Sequence, residues 1–253
     1  MRMIIRLRPV AAALSVPVHY NHLVQGLIYH HIDPDLAEYL HDQGLSLEGR
    51  SFKLFVFSRL FGRFERHGER LVFRDHLELQ VASPIERFIG SLGGRLLHAA
   101  TVVLGEAEAA VESVSLTEEM DVPDCLVVAA LSPITVYSTL YTPAGGKKTY
   151  YYSPFENEFA AQIAGNLRKK YWALFGQEPP ADWDLSVEPV GISSRHQALA
   201  FYKGTVVKGW MGNYRLRGTP ALIRLALDAG MGSKNSQGFG MVQPARQGGQ
   251  GNA

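Results

Sequence analysis

The order of its strand and helix patterns is the feature of this chain that most restricts its fold. Alternating apolar residues, as at Met3, Ile5 and Leu7, predict strands, whereas apolar residues three and four positions apart predict helices. In the first half, the patterns predict a strand, two helices, two strands, a helix and a strand, at 3–8, about 20–31, 35–42, 52–60, 70–80, 84–95 and 98–115. In the second half, they predict a strand at 124–132, strands flanking 142–148, a helix at 155–175, a strand at 183–191, a hairpin at 196–218, a helix at 219–229 and a strand at 239–243. Each half approximates β-α-β-β-α-β, the ferredoxin-like pattern.

A short polar segment separates the two halves. Between Thr117 and Pro123, acidic residues and a proline replace the apolar periodicity. We therefore predict an α+β protein with two tandem ferredoxin-like domains at residues 1–120 and 121–245. The polar, glycine-rich residues 246–253 that follow predict a flexible tail.

Composition excludes several classes of protein. Cys125 is the only cysteine, so a disulfide within the chain is impossible, which fits a reducing cytoplasm. No apolar run approaches the length of a transmembrane helix, so we predict a cytoplasmic protein without a membrane partner.

Charge is distributed unevenly along the chain, although the formal net charge is only +1. Residues 1–120 are net negative and residues 121–253 are net positive; Arg215 and Arg217 lie in the most basic stretch. That stretch also carries the aromatic residues Phe201, Tyr202, Trp210 and Tyr214. Phosphate attraction combined with stacking surfaces is typical of proteins that bind single-stranded RNA.

A glycine-rich segment, Gly230-Met-Gly-Ser-Lys-Asn-Ser-Gln-Gly-Phe-Gly240, follows the helix predicted at 219–229. Glycine tolerates positive φ and close approach, so the N–H groups of such a loop can converge on an anion. Neither nucleotide-binding loop fits, because Asn235 stands where a Rossmann motif needs glycine, and Phe239 stands where a Walker loop needs lysine. Gly230 is expected to be a left-handed helix cap. A glycine-rich turn without a ligand is the alternative interpretation of this segment alone.

Five segments, in the same order along almost the whole chain, match one known family. The chain resembles the CRISPR repeat-processing endoribonucleases of the Cas-six type, which belong to the repeat-associated RNA-binding proteins of CRISPR systems. The matching segments are Tyr20–Tyr29, Leu36–His41, Lys53–Phe55, Leu131–Ile134 and Lys234–Val242. The resemblance implies two packed ferredoxin-like domains and an RNA-binding glycine-rich loop. The RNA-binding residues expected in this loop are Gly230, Gly232, Lys234, Asn235, Ser236, Gly238 and Gly240; Arg215 and Arg217 are expected to bind RNA as well.

The resemblance also assigns three catalytic roles. It makes His41 the proton-transfer residue, places the Tyr29 hydroxyl at the scissile phosphate, and gives Lys53 the role of stabilising the phosphorane. By residue type alone, each has a structural alternative: a histidine at a helix end, a core tyrosine and a solvated lysine. We interpret His22 as structural and Asn21 as the N-cap of the first long helix. Because His41 and the glycine-rich loop lie in different halves of the chain, changes in the loop are expected to leave the active site unaffected.

The nine histidines do not form a ligand set with carboxylates or with Cys125 at any metal-binding spacing, so we predict neither a metal nor a cofactor. RNA supplies its own nucleophile, a 2′-hydroxyl, whose in-line attack leaves a 2′,3′-cyclic phosphate and a 5′-hydroxyl. Such a reaction needs proton transfer and positive charge at the phosphorane.

The leading hypothesis is therefore a metal-independent, sequence-specific endoribonuclease that cleaves CRISPR precursor transcripts within their repeats. The alternative is a subunit that binds CRISPR repeat RNA without cutting it. Precursor and processed guide RNA are the expected partners, and a CRISPR effector complex is a further candidate. A generic ferredoxin-like RNA-binding module is disfavoured, because no aromatic RNP-type strand motif is present.

Overall fold

A computed structural model of the chain describes residues 1–141 and 145–245. The tail predicted at 246–253 and part of the loop predicted at 142–148 lie outside the described residues. The strands are β1 (Arg2–Pro9), β2 (Leu14–Pro17), β3 (Leu45–Leu47), β4 (Arg50–Phe52), β5 (Val56–Phe57), β6 (Phe64–His67), β7 (Arg70–Phe73), β8 (Leu77–Ala82), β9 (Thr101–Leu104), β10 (Ala107–Leu116), β11 (Cys125–Ala130), β12 (Tyr137–Tyr141), β13 (Lys147–Tyr151), β14 (Leu185–Val190), β15 (Gln197–Tyr202), β16 (Thr205–Trp210), β17 (Asn213–Gly218) and β18 (Val242–Pro244). The α-helices are α1 (Asn21–His30), α2 (Pro34–Glu38), α3 (Glu86–His98), α4 (Asn157–Phe175) and α5 (Pro220–Ala229). A π turn covers Tyr39–Gln43, and 3₁₀ turns cover Ser194–His196 and Asn235–Gln237.

The first half contains an antiparallel sheet in the order β5-β8-β1-β10-β9. Strand β1 has the alternation that the sequence predicts, with Met3, Ile5 and Leu7 buried and Arg6 and Arg8 exposed. Apolar residues of α1 and α3 join these strand residues in one core. Taken along the chain, β1, α1, β5, β8, α3 and β10 form a β-α-β-β-α-β unit.

The second half repeats this topology. Its sheet has the order β14-β17-β11-β18, and the unit reads β11, α4, β14, β17, α5 and β18 along the chain. In both sheets the first and third strands of the unit are the two central ones, and the second and fourth lie outside them. A second core contains apolar residues of α4, α5 and this sheet. The prediction of an α+β protein built from two ferredoxin-like units is confirmed.

Several element boundaries differ from the prediction. The strand predicted at 98–115 is the hairpin β9–β10, and the hairpin predicted at 196–218 is the three strands β15, β16 and β17. The strand predicted at 52–60 is interrupted, because Leu54 has a φ of +50°, which a strand cannot contain. Of the predicted strand, Phe52 belongs to β4, and Val56–Phe57 form the edge strand β5.

Residues 117–124, between β10 and β11, contain neither helix nor strand. We propose that the boundary between two domains, 1–120 and 121–245, lies in this segment. A small apolar cluster of Val56, Ala82, Leu131 and Met241 joins the two halves. Within the described residues, no helix combines the length and the apolar character needed to cross a membrane.

Candidate active site and basic cleft

A cleft of about 940 Å³ lies between the segment around Lys53, helix α4, strand β12 and the glycine-rich loop. Among the described residues, its lining carries a single acidic side chain, that of Glu158. The basic side chains in the lining are Arg50, Lys53, Lys169 and Lys234, together with Lys170, which is buried against the protein. A concave surface dominated by one sign of charge attracts ligands of the opposite sign, so the cleft suits a polyanion.

The three residues expected to be catalytic contact one another, and one of them, Lys53, lines this cleft. Tyr29 lies in the last turn of α1, and its ring contacts the His41 ring edge-on, with 5.9 Å between centroids. The Lys53 Nζ donates a hydrogen bond to the backbone carbonyl of His41 at 2.7 Å. Residues 12 and 24 positions apart in sequence thus meet at one place. Their catalytic roles remain predictions.

His41 is carried by an unusual backbone. Helix α2 begins at Pro34 with Asp33 as its cap, and it continues into the π turn Tyr39–Gln43. Gly44, with a φ of +58°, ends the turn. Single π turns are rare and are frequent at functional sites. The Lys53 ammonium, bound to the carbonyl of His41, holds this turn in place.

Asp42 orients the His41 imidazole. The His41 Nδ1 donates to the Asp42 Oδ1 at 2.6 Å, which leaves Nε2 free for a substrate. The His41 side chain is 75% exposed, so a substrate can reach it. Asp42 is not among the residues predicted for the site, because neighbouring residues on an α-helix point about 100° apart.

The protonation of Tyr29 and Lys53 follows from their surroundings. Burial, together with the nearby Tyr202, raises the pKa of Tyr29 to about 12. Its hydroxyl is therefore a hydrogen-bond donor near neutral pH and not a base. Burial lowers the pKa of Lys53, and the carboxylate of Asp42 opposes that shift.

Backbone hydrogen bonds join the glycine-rich loop to itself and to the segment at Pro133 and Thr135. The N–H groups of Met231, Ser233, Gly238 and Gly240 donate to protein carbonyls. All four glycines of the loop are buried. The expected cradle of free glycine N–H groups is thus not present at Gly238 and Gly240, because protein oxygens already accept these bonds. Gly230 has positive φ as expected, but its ψ of 162° lies outside the left-handed helical region.

The loop is also tied to the helix that carries Tyr29. On one face of α1, Asn21 Nδ2 donates to the Gln237 carbonyl at 2.8 Å and Gln25 Nε2 donates to the Ser236 carbonyl at 2.7 Å. Tyr29 lies four residues after Gln25 on the same face. Asn21 is therefore a loop anchor and not the expected N-cap, a position that Tyr20 occupies. One helix therefore contacts both the loop and the predicted active site, although they lie in different halves of the chain; that changes in the loop leave the active site unaffected stays a prediction.

The basic stretch of the second half differs from its predicted role. Tyr214 is fully buried, and Trp210 and Tyr202 are each 8% exposed, so these rings are core residues and cannot stack on RNA. Arg215 and Arg217 alternate with buried residues on β17, point away from the core and do not line the cleft.

Exposed rings lie elsewhere, and the sequence analysis missed most of them. Tyr141 on β12 is 71% exposed, and Phe201 on β15 is 50% exposed. The Lys234 Nζ lies 5.3 Å from the centroid of the Tyr137 ring at the cleft.

The packing of Gly240 predicts a large loss of stability on substitution. An alanine Cβ at this position, where φ is +80°, would overlap the Met231 carbonyl. We expect Gly240→Ala to lower the free energy of unfolding by roughly 2–5 kcal/mol, since strained φ and overpacking both contribute. Urea unfolding measures this value. Gly94→Ala, on the open surface of α3, is the matched control and should stabilise the protein by roughly 0.5–1 kcal/mol. Equal stability of the two variants would contradict the packing described.

Within the described residues, no group of three or more His, Cys, Asp or Glu side chains is placed to hold a metal ion. Metal independence of the reaction stays a prediction.

Comparison with known proteins identifies the family. The N-terminal model of CRISPR-associated protein Cas6 matches residues 15–115, and the C-terminal model matches residues 117–244. The CRISPR-associated endoribonuclease Cas6 of Pyrococcus furiosus is 28% identical over 251 residues, covering 96% of this chain and 89% of the relative. Cas6 1 of Methanocaldococcus jannaschii, also described as a CRISPR-associated endoribonuclease, is 26% identical over 241 residues, covering 90% and 86%. A solved structure described as CRISPR associated protein Cas6 superposes with a TM-score of 0.78 at 25% identity, over 97% of this chain and 99% of that one. The chain belongs to the Cas6 family of CRISPR-associated proteins.

Proposed function

We propose that this protein is a metal-independent endoribonuclease that cleaves CRISPR precursor transcripts within their repeats. The observation that carries this proposal is that Tyr29, His41 and Lys53 contact one another, and that Lys53 lines a basic cleft. Relatives described as endoribonucleases, similar over nearly the full chain, support it.

The chemistry assigned to the three residues is internal phosphoryl transfer. The 2′-oxygen forms a bond to phosphorus as the bond to the 5′-oxygen breaks, which gives a 2′,3′-cyclic phosphate and a 5′-hydroxyl. One proton leaves the 2′-hydroxyl and one arrives at the departing 5′-oxygen, so the atoms balance. His41, whose Nε2 is free, takes the proton from the 2′-hydroxyl or gives one to the departing 5′-oxygen.

Tyr29 and Lys53 act on the charge that develops at phosphorus. With a pKa of about 12, the Tyr29 hydroxyl donates a hydrogen bond to a phosphate or ribose oxygen. Lys53 stabilises the phosphorane through its positive charge, while its bond to the His41 carbonyl fixes the distance between the two groups. Asp42 positions His41 and does not itself contact the substrate.

RNA binding is assigned to the cleft. Lys234 and Ser236 of the glycine-rich loop contact the phosphate backbone, and Tyr137 offers a ring beside them. The buried glycines Gly230, Gly232, Gly238 and Gly240, together with Asn235, contribute by fixing the loop. Arg215 and Arg217 extend the basic surface outside the cleft and contact RNA beyond it.

Lys234→Ala tests this assignment. Loss of one phosphate contact to a single strand should weaken binding of the cognate repeat and reduce the slope of log K against log salt by about 0.7. Equilibrium binding across a salt series measures the slope. Arg66→Ala, which removes a surface cation paired with Glu69, is the control and should leave the slope unchanged. An unchanged slope for Lys234→Ala would remove the loop from the RNA interface.

The non-cleaving repeat-binding subunit is the alternative. It accounts for the basic cleft, but gives no reason for a histidine, a protonated tyrosine and a lysine to meet there. Single-turnover cleavage of labelled repeat RNA decides between the two, because the alternative predicts binding without product.

A further inference from the structure

Lys170 is the one charged residue buried among residues 1–141 and 145–245, with 3% of its surface exposed. It lies on the inner face of α4, in the helical series Phe159, Ile163, Leu167 and Lys170. Its Nζ donates to the carbonyls of Ala229 and Gly230, at 3.1 and 2.7 Å, and to Asn235 Oδ1 at 2.7 Å. Burying an ammonium group costs free energy unless it is hydrogen-bonded. The three oxygen acceptors explain why Lys170 is tolerated in the core.

Asn235 connects Lys170 to both ends of the glycine-rich loop. Its Nδ2 donates to the carbonyls of Met231 and Phe239, at 3.0 and 2.9 Å, while its Oδ1 accepts from Lys170. Both N–H groups of the amide and its oxygen thus have partners inside the protein. The predicted role of Asn235 as a direct RNA ligand is therefore replaced by a role in closing the loop.

Lys234, the residue before Asn235, has a strained backbone conformation. Lys234 has a φ of +61°, in the left-handed region that is unfavourable for a residue with a side chain. Such conformations persist only where the surroundings enforce them, and they concentrate at functional sites. Here the enforcing bonds are those of Asn235, the next residue, and this backbone places the Lys234 ammonium over Tyr137 at the cleft.

We propose that Lys170 is a positioning residue for RNA recognition, acting through Asn235 to hold Lys234 in the conformation that binds the RNA backbone. The proposal rests on the proposed function, since it needs Lys234 to contact RNA. Lys170 itself touches no substrate. Burial lowers the pKa of Lys170 to about 7, which fits a site enclosed by protein.

A double-mutant cycle on the salt dependence of binding tests the proposal. The full-length variants are Lys170→Met, Lys234→Ala and the double variant, each titrated with cognate repeat RNA across a salt series. Lys170→Met alone should weaken binding up to about tenfold and lower the log–log slope by about 0.7, matching Lys234→Ala. In the Lys234→Ala background, Lys170→Met should change neither value further, because its effect passes through Lys234.

Arg168→Met is the matched control on the same helix. Arg168 also donates to three backbone carbonyls, those of Pro179, Pro180 and Trp183, but it does not line the cleft. It should destabilise the protein, as judged by thermal unfolding, and leave the salt slope unchanged. If Lys170→Met fails to fold, Asn235→Ser breaks the same link and takes its place in the cycle.

The possible results distinguish failure of the positioning role of Lys170 from failure of the RNA-binding role of Lys234. If Lys234→Ala lowers the slope and Lys170→Met does not, the positioning role is overturned and the RNA contact stands. If the two effects add fully in the double variant, Lys170 does not act through Lys234, which also overturns the proposal. If Lys234→Ala itself leaves the slope unchanged, the RNA-binding assignment fails instead.

Discussion

Replacing His41 with alanine is expected to slow single-turnover cleavage of the cognate repeat RNA by a factor on the order of 10²–10⁴. We expect this loss because the proposed mechanism makes the free Nε2 of His41 the proton-transfer group, at a site where Tyr29 stays protonated. The affinity for repeat RNA should be nearly unchanged, because the His41 side chain is 75% exposed and supports no core packing. Rates at saturating protein, with Kd measured separately, distinguish the two effects.

Three further variants test the role of each part of the site separately. His22→Ala is the matched control, because His22 is an exposed histidine whose ring bonds only the His19 carbonyl, and its rate should equal that of the wild type. Tyr29→Phe keeps the ring packing against Phe55 and removes only the hydroxyl, so a slower rate reports the hydroxyl alone. Lys53→Ala removes both a cation and the bond to the His41 carbonyl. Wild-type cleavage by His41→Ala would show that the active-site assignment is wrong.

Periodicity predicted most of the framework. The alternation in β1 and the helix at 220–229 after Thr219 were visible in the sequence, because each follows from local pattern and capping. The breaks in predicted strands were not, since Leu54 adopts positive φ only under tertiary constraint. The π turn at Tyr39–Gln43 could not be predicted from the sequence either, because its hydrogen bonds span five residues and leave no periodic pattern of apolar residues.

The candidate site was predicted in part. Tyr29, His41 and Lys53 were named through the family resemblance, and the fold brings them together. The aromatic residues of the basic stretch were misjudged, although the alternation of Tyr214 and Leu216 with two arginines on β17 already indicated that the rings face inward. The buried position of Lys170 also had a signal, in the helical spacing of Phe159, Ile163 and Leu167. Its partner Asn235 had none, because that contact spans 65 residues.

A second large effect is expected from the substrate. Repeat RNA with a single 2′-deoxy nucleotide before the cleaved bond should not be cut at a detectable rate, because the attacking oxygen is missing. Binding should be retained, since the cleft offers mainly charge and rings to the rest of the strand. The matched control carries the 2′-deoxy nucleotide one position further upstream and should be cleaved normally. Cleavage of the first substrate would exclude attack by the 2′-hydroxyl.

Cleavage of end-labelled repeat RNA in excess EDTA, with analysis of both new ends, tests the central claim most directly. The account predicts an unchanged single-turnover rate, a 2′,3′-cyclic phosphate on the upstream fragment and a 5′-hydroxyl on the downstream fragment. These ends are the products of attack by the 2′-hydroxyl, the reaction for which we propose His41 as the proton-transfer group and Lys53 as the cation. Loss of cleavage in EDTA, or a 3′-hydroxyl with a 5′-phosphate, would contradict the mechanism.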